Sequence, residues 1–235
     1  MDLSRSSIKR LIKRVPLVGS TIAKIRGTPG FPGSAKYWEA RYQSGDNSGA
    51  GSYGHLAQFK SEVLNAFVAT NTIRSVLEFG CGDGNQLSLA AYPRYVGLDV
   101  SKSALMLCRK RFANDQTKSF HMYDPGALAS NPALFNAELT LSLDVIFHLI
   151  EDDVYEAYMT NLFASATRYV IVYSSDADEQ TRSAHVRHRR FTAWVAGNCA
   201  DSSLVQKIPN RYPFERDDGL TSFADFYIFR KHECA

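Results

Sequence analysis

The sequence predicts an α/β fold, a mostly parallel sheet with helices on both faces, on three observations. Short apolar runs that read as buried strands alternate with longer stretches of helical spacing. The first run, Val76 to Phe79, leads into three glycines at alternate positions, Gly80, Gly82 and Gly84, and the second, Tyr95 to Asp99, ends in an acid. The last two runs, Leu204 to Ile208 and Phe223 to Phe229, are separated only by a loop and read as a closing pair of strands.

The glycine turn is the centre of the reading. Glycines there let the backbone bend sharply and approach a ligand with no side chain in the way. Glu78 puts a carboxylate at the strand end, and a helix-like run from Gln86 to Ala91 follows. Strand, glycine turn and helix make a nucleotide-type pocket at the strand's carboxyl end, although a merely tight turn has the same composition. Asp99 falls about 20 residues beyond the turn, where such folds place the carboxylate that takes the ribose hydroxyls. Ser101 is placed to cap a helix running through Leu105 to Phe112.

At 235 residues the chain suits one domain with a short appendage. Its apolar runs fall short of the roughly 20 residues that cross a bilayer, and the N-terminus lacks the apolar core of a secretory signal. Cys81, Cys108, Cys199 and Cys234 are scattered, without disulfide-framework or metal spacing, which predicts a reducing, cytoplasmic location. Charge is uneven. Residues 1–26 hold seven basic residues against Asp2 alone, a net of +6, which leaves about −3 on the rest of a +3 chain. Within them Ile8, Leu11, Ile12 and Val15 form one apolar face between Lys9, Arg10, Lys13 and Arg14. Such a helix fits a peripheral contact with an anionic membrane, here the inner face, at about 1 kcal/mol per basic residue. A solvated tail, a helix docked on the domain and a cleaved targeting peptide are the competing readings.

Gly27 to Gly33 reads as a linker, so residues 1–33 are a basic segment with its linker and residues 34–235 the main domain. Residues 34–70 begin that domain as a lid: Tyr37, Trp38, Arg41 and Tyr42 on a helix, a glycine- and serine-rich loop from Ser44 to Gly54, then a helix over Leu56 to Val68. The aromatic residues would also serve simply to cover the domain's edge. Ser119 to Asp124 reads as a third strand whose final acid either accepts an adenine amino group or starts a turn at Pro125. Leu139 to Val145 is a fourth strand that brings Asp144 and His148 to the same crevice, with His148 as a candidate general base or a structural histidine. A helix over Asp152 to Ala166 and a strand over Tyr169 to Tyr173 follow. The segment from Arg182 to Phe191 then gathers His185, Arg187, His188, Arg189 and Arg190, whose guanidinium forks suit carboxylate or phosphate oxygens. Asp176, Asp178 and Glu179 are their nearest alternative partners. The two histidines lack further ligands at metal spacing, so no metal is expected.

Taken together, these motifs resemble the class I S-adenosylmethionine-dependent methyltransferases. Glu78 to Gly84 is similar to their first motif, Tyr95 to Ser101 to the second and Leu141 to Val145 to the fourth. The resemblance implies a Rossmann-like seven-stranded sheet closed by an antiparallel hairpin, with S-adenosylmethionine as cofactor. It implies that Gly80, Gly82 and Gly84 pass beside the methionine moiety, that Asp99 holds the ribose, and that the backbone around Leu143 meets the amino-acid end. Tyr37 and Arg41 lie in a segment like the aromatic one that several small-molecule methyltransferases lay over the cofactor. An Asn-Pro-Pro-Tyr or Asp-Pro-Pro-Tyr tetrapeptide after the fourth strand is missing, which disfavours amino groups of nucleobases or glutamine. The chain also resembles methyltransferases of bacterial surface-polysaccharide synthesis. The expected reaction is O-methylation of a sugar, phosphosugar or glycan, with another small metabolite, or a non-catalytic cofactor-binding module, as alternatives. Nucleic acid is disfavoured, because the main body is acidic and lacks aromatic residues interleaved with basic ones.

Overall fold

In the computed structural model the described residues are 31–131, 134–179, 183–215 and 219–232. The basic segment over residues 1–26, with its expected membrane contact, lies outside them, as does most of the linker. Seven strands, β1 (Val76–Phe79), β2 (Tyr95–Asp99), β3 (Lys118–Met122), β4 (Ala137–Leu143), β5 (Ala166–Ser174), β6 (Ser202–Ile208) and β7 (Asp225–Lys231), form one sheet in the order β3-β2-β1-β4-β5-β7-β6. The five strands from β3 to β5 pair in parallel, and β7 runs antiparallel to both β5 and β6. This is the mostly parallel sheet with a terminal antiparallel hairpin that the sequence predicts.

The helices are α1 (Ser34–Gln43), α2 (Gly54–Thr70), α3 (Lys102–Arg111), α4 (Pro125–Ser130), α5 (Asp152–Ala164) and α6 (Phe191–Asn198). Alternation along the strands sorts the core into two layers. Val76, Tyr95, Leu141 and Ile171 meet Phe59 and Leu64 of α2 and Leu105 of α3. Leu77, Phe79, Leu98 and Val170 meet Leu128 of α4, Tyr158 and Leu162 of α5 and Val195 of α6. From β1 the chain steps outward through β2 to β3, then returns to the other side of β1 as β4. Such a reversal opens a crevice at the carboxyl ends of β1 and β4.

Three elements differ from the sequence reading. The expected helix over Gln86 to Ala91 is a single 3₁₀ turn, Leu87–Leu89. Asn65 on α2 ends it, its amide donating to Leu89 O at 2.9 Å and its carbonyl accepting from Ala91 N at 2.8 Å. Helix α4 was not expected, although Asp124 as N-cap and Pro125 in the first turn are a readable start signal. Helix α6 starts without a cap of its own. Asp178 accepts from Arg190 N, and Asp176 from both Thr192 N and Thr192 Oγ1, so these acids bind backbone and hydroxyl rather than the arginines.

Candidate active site

The glycine turn is built on left-handed backbone. Gly80 has φ 81° and Gly82 φ 57°, and a Cβ at Gly80 would stand 2.5 Å from Val145 Cγ2. Gly80 N and Cys81 N both donate to Leu98 O, at 2.7 and 3.0 Å, which ties the turn to β2. Gly80 and Gly82 line a cavity of about 290 Å³ in the crevice, together with Glu78, Asp99 and Leu143. Gly84 does not. A Cβ there would meet Cys108 Sγ and Phe112 at 3.0 Å, so its absence serves the packing of α3 rather than a ligand.

Asp99 closes β2 with both oxygens engaged, Oδ2 accepting from Gly82 N at 2.9 Å and Oδ1 from Ser101 N at 2.8 Å. Burial nevertheless raises its pKa to about 6 against those bonds. Glu78 is buried beside it, accepting from Tyr95 Oη at 2.6 Å, and burial lifts its pKa to about 7 although the tyrosine and Lys60 pull it down. Asp124 stands elsewhere. It is exposed, its Oδ1 caps α4 through Gly126 N and Ala127 N, and the neighbour that lines the cavity is Tyr123.

Helix α1 covers the crevice and is held at two points. Its N-cap, Gly33, offers no side chain, and Glu151 instead accepts from Ser34 N at 2.8 Å and Ser34 Oγ at 2.6 Å. Glu39 accepts from Ser101 Oγ at 2.6 Å and from Ser103 Oγ at 2.8 Å, and the Ser101 hydroxyl above all draws its pKa down to about 2. Ser101 also caps α3, accepting from Ala104 N at 3.0 Å. Ser101→Ala removes the cap and the lid contact together and is expected to cost about 1–2 kcal/mol of stability. Urea unfolding at neutral pH, with an unchanged m-value, measures it.

The loop after α1 is docked on the glycine turn by Asp83, which accepts from Ser48 N at 3.0 Å and Tyr53 Oη at 2.8 Å while its own N–H donates to Ser48 Oγ. Trp38 and Tyr42 line the cavity, whereas Tyr37 and Arg41 do not. Tyr37 stacks on His185 with centroids 4.9 Å apart, and Arg41 donates to Asn47 O at 2.8 Å and pairs with Asp46. These two residues brace the lid from outside instead of touching the ligand space.

At the end of β4, Asp144 adopts φ 59°, a left-handed conformation uncommon for residues other than glycine. Its Oδ2 lies 2.6 Å from Nζ of Lys60, a lysine only 1% exposed that also sits 5.2 Å from the Tyr173 ring centroid. His148 lines the same cavity, edge-on to Trp38. Its Nδ1 is 2.8 Å from His185 O. A carbonyl only accepts, so Nδ1 carries the proton and Nε2 presents a lone pair. Burial first, then the His185, Arg41 and His188 charges, hold its pKa down to about 3 despite that bond.

Two arginines of the basic segment are engaged away from the cavity. Arg187 donates to Ile150 O and pairs with Asp152 at 2.9 Å, while Arg189 donates to Leu149 O and Ile150 O, reaches Asp152 and packs over Tyr155. Both guanidinium groups strap residues 149–152 in place. Arg190 is exposed, and none of His185, Arg187, His188, Arg189 and Arg190 lines the cavity. His185 bonds Ser183 and His188 bonds Ser175 through Nδ1.

Sequence reasoning missed Lys60, Asp83 and Gln86. Lys60 was findable: it occupies the stripe Leu56, Lys60, Leu64 and Val68, a charge on an otherwise apolar helix face. Asp83 and Gln86 gave no comparable signal, since both stand in the turn as ordinary polar residues.

Among the described residues, no group of three or more His, Cys, Asp or Glu could hold a metal ion, and no helix is long and apolar enough to cross a membrane. No protein-family model and no curated protein matches the chain. Solved structures do. N-methyltransferase NodS from Bradyrhizobium japonicum, in complex with S-adenosyl-L-homocysteine, is 15% identical at a TM-score of 0.64, over 86% of this chain and 100% of its own. Magnesium protoporphyrin IX methyltransferase from Synechocystis, with bound S-adenosylmethionine, is 16% identical at 0.62, over 87% and 100%. The methyltransferase domain of bacterial CtHen1 is 19% identical at 0.57, over 74% and 97%. The chain therefore has the Rossmann-like fold of the class I methyltransferases.

Proposed function

We propose that this chain is an S-adenosylmethionine-dependent methyltransferase that methylates a hydroxyl oxygen of a small acceptor. The observation that carries it is the cavity at the β1–β4 reversal, where Gly80, Gly82, Glu78 and Asp99 line one wall and His148 another. The residues fit such a cofactor. Asp99 is a buried carboxylate with lone pairs to spare for two hydroxyls, and Gln86 Oε1 is a buried acceptor without a partner in the same wall. Bound there, the cofactor supplies a methyl group already activated on a positive sulfur. The protein's part is to align the acceptor and keep water out, and the docked lid, with Trp38 and Tyr42, does this.

His148 takes the proton. With burial holding its pKa near 3, His148 stays neutral and keeps Nε2 free to accept a hydrogen bond. It suffices for a hydroxyl. Its Nε2 accepts the O–H hydrogen bond, and the proton becomes strongly acidic only as the oxygen gains the methyl. Asp144 lines the same cavity as a fixed negative charge paired with Lys60. Sugars and glycans, as hydroxyl-rich acceptors, are the proposed class; the engaged arginines give the phosphorylated ones no added support. Contact of residues 1–26 with the membrane remains part of the proposal, with vesicle sedimentation of the full chain and of a chain lacking them as its check.

His148→Ala is expected to lower turnover about 100- to 1,000-fold with cofactor affinity within threefold of the parent. Labelled cofactor offered with glycans, phenols and amines tests the acceptor class. Label carried by amines alone overturns the oxygen reading.

A further inference from the structure

The inner end of the cavity holds a buried donor and a buried acceptor that the fold does not use up. Lys60 Nζ has three protons, one directed to Asp144 Oδ2 at 2.6 Å, with the Tyr173 ring 5.2 Å away. Gln86 is anchored by its amide, Nε2 donating to Ala57 O at 3.1 Å, and its Oε1 is buried without a partner. Lys60 and Gln86 both line this cavity, and Ala57, which anchors Gln86, lies on α2 three residues before Lys60. An unpaired buried acceptor destabilises the empty fold, and the buried ammonium is offset there by Asp144.

We infer that Lys60 and Gln86 together read the α-amino-acid head of the ligand, Lys60 taking its carboxylate and Gln86 Oε1 an ammonium hydrogen. A cationic donor with protons to spare and a free neutral acceptor in one cavity match the two ends of a zwitterion. Asp144 keeps the ammonium at the wall, and its left-handed backbone, with Gly51 so close that a Cβ there would lie 2.8 Å from Asp144 Oδ2, fixes the carboxylate between lid and core. Lys60 is thus a specificity residue that separates whole cofactor from truncated nucleosides. The inference rests on the cofactor proposed above.

Calorimetry on the full chain tests it with three ligands: S-adenosylhomocysteine, its decarboxylated analogue and its deaminated analogue. The unaltered protein is expected to favour S-adenosylhomocysteine by roughly tenfold or more over each. Lys60→Met, and the charge-balanced Lys60→Met/Asp144→Asn should the single variant fail to fold, abolish the preference against the decarboxylated compound only. Gln86→Leu reduces the preference against the deaminated compound only, the remainder being the attraction of ionised Glu78 for the ammonium. Equal affinities in the unaltered protein, or variants that weaken all three ligands by one common factor, overturn the inference while leaving the cofactor assignment intact. No binding of S-adenosylhomocysteine to the unaltered protein overturns that assignment itself.

Discussion

Asp99→Asn is expected to weaken binding of S-adenosylhomocysteine about 100-fold while changing stability by less than about 1 kcal/mol at pH 8. The two carboxylate oxygens accept from two different backbone donors, Gly82 N and Ser101 N. An amide offers one oxygen and one NH₂, so one of those donors would face another donor. The glycine turn loses its hold on the end of β2, and the hydroxyls that Asp99 is proposed to take lose a charged acceptor; two such charge-assisted bonds amount to roughly 3 kcal/mol. Stability moves less, because the same substitution removes a carboxylate that burial already disfavours, as its pKa near 6 records. Calorimetry and urea unfolding on the same preparation separate the two. Affinity within threefold of the parent would remove Asp99 from the ligand contacts.

The parts of this molecule that were legible in the sequence are those written in local pattern. Buried strands, the spacing from the glycine turn to Asp99, the cap at Ser101 and the late hairpin all follow from neighbours along the chain. What was not legible depends on residues far apart in it. Helix α6 takes its caps from Asp176 and Asp178, and α1 takes its own from Glu151 across 117 residues, so their ends carry no local mark. Arg187 and Arg189 looked like an anion grip because composition does not show which acceptors they meet, here backbone carbonyls of residues 149 and 150 and the carboxylate of Asp152. Tyr37 and Trp38 are adjacent, and a helix turns adjacent side chains about 100° apart, so only one of them meets the cavity. Lys60 shows the converse. A lone charge on an apolar stripe was visible, and its partner Asp144 lay 84 residues away.

Cofactor affinity is expected to rise with pH up to about 7.5, and Glu78 is the main reason. Its carboxyl is buried, with Tyr95 and Asp99 facing it from β2 and Lys60 from α2, and its pKa stands near 7. S-adenosylmethionine carries a sulfonium and an ammonium, and both favour the ionised carboxylate. Below pH 7 binding must therefore expel a proton, and affinity falls toward tenfold per pH unit, or roughly 30-fold between pH 7.5 and 5.5. Asp99, near 6, steepens the fall at the acid end. Glu78→Gln flattens the profile above pH 6 and binds more weakly than the parent at pH 8. Folding stability moves the other way. A carboxyl whose pKa is higher folded than unfolded contributes fully below about 4.5, and that contribution is lost as pH climbs from there through 7. At pH 8 the ionised Glu78 is thus a burden on the empty protein of order 2–3 kcal/mol, which the glutamine relieves. A variant more stable than its parent and weaker in binding, with less proton release in calorimetry across buffers of different ionisation heat, would identify Glu78 as a charge held in readiness for a cationic ligand. An unchanged pH profile would assign it to the core.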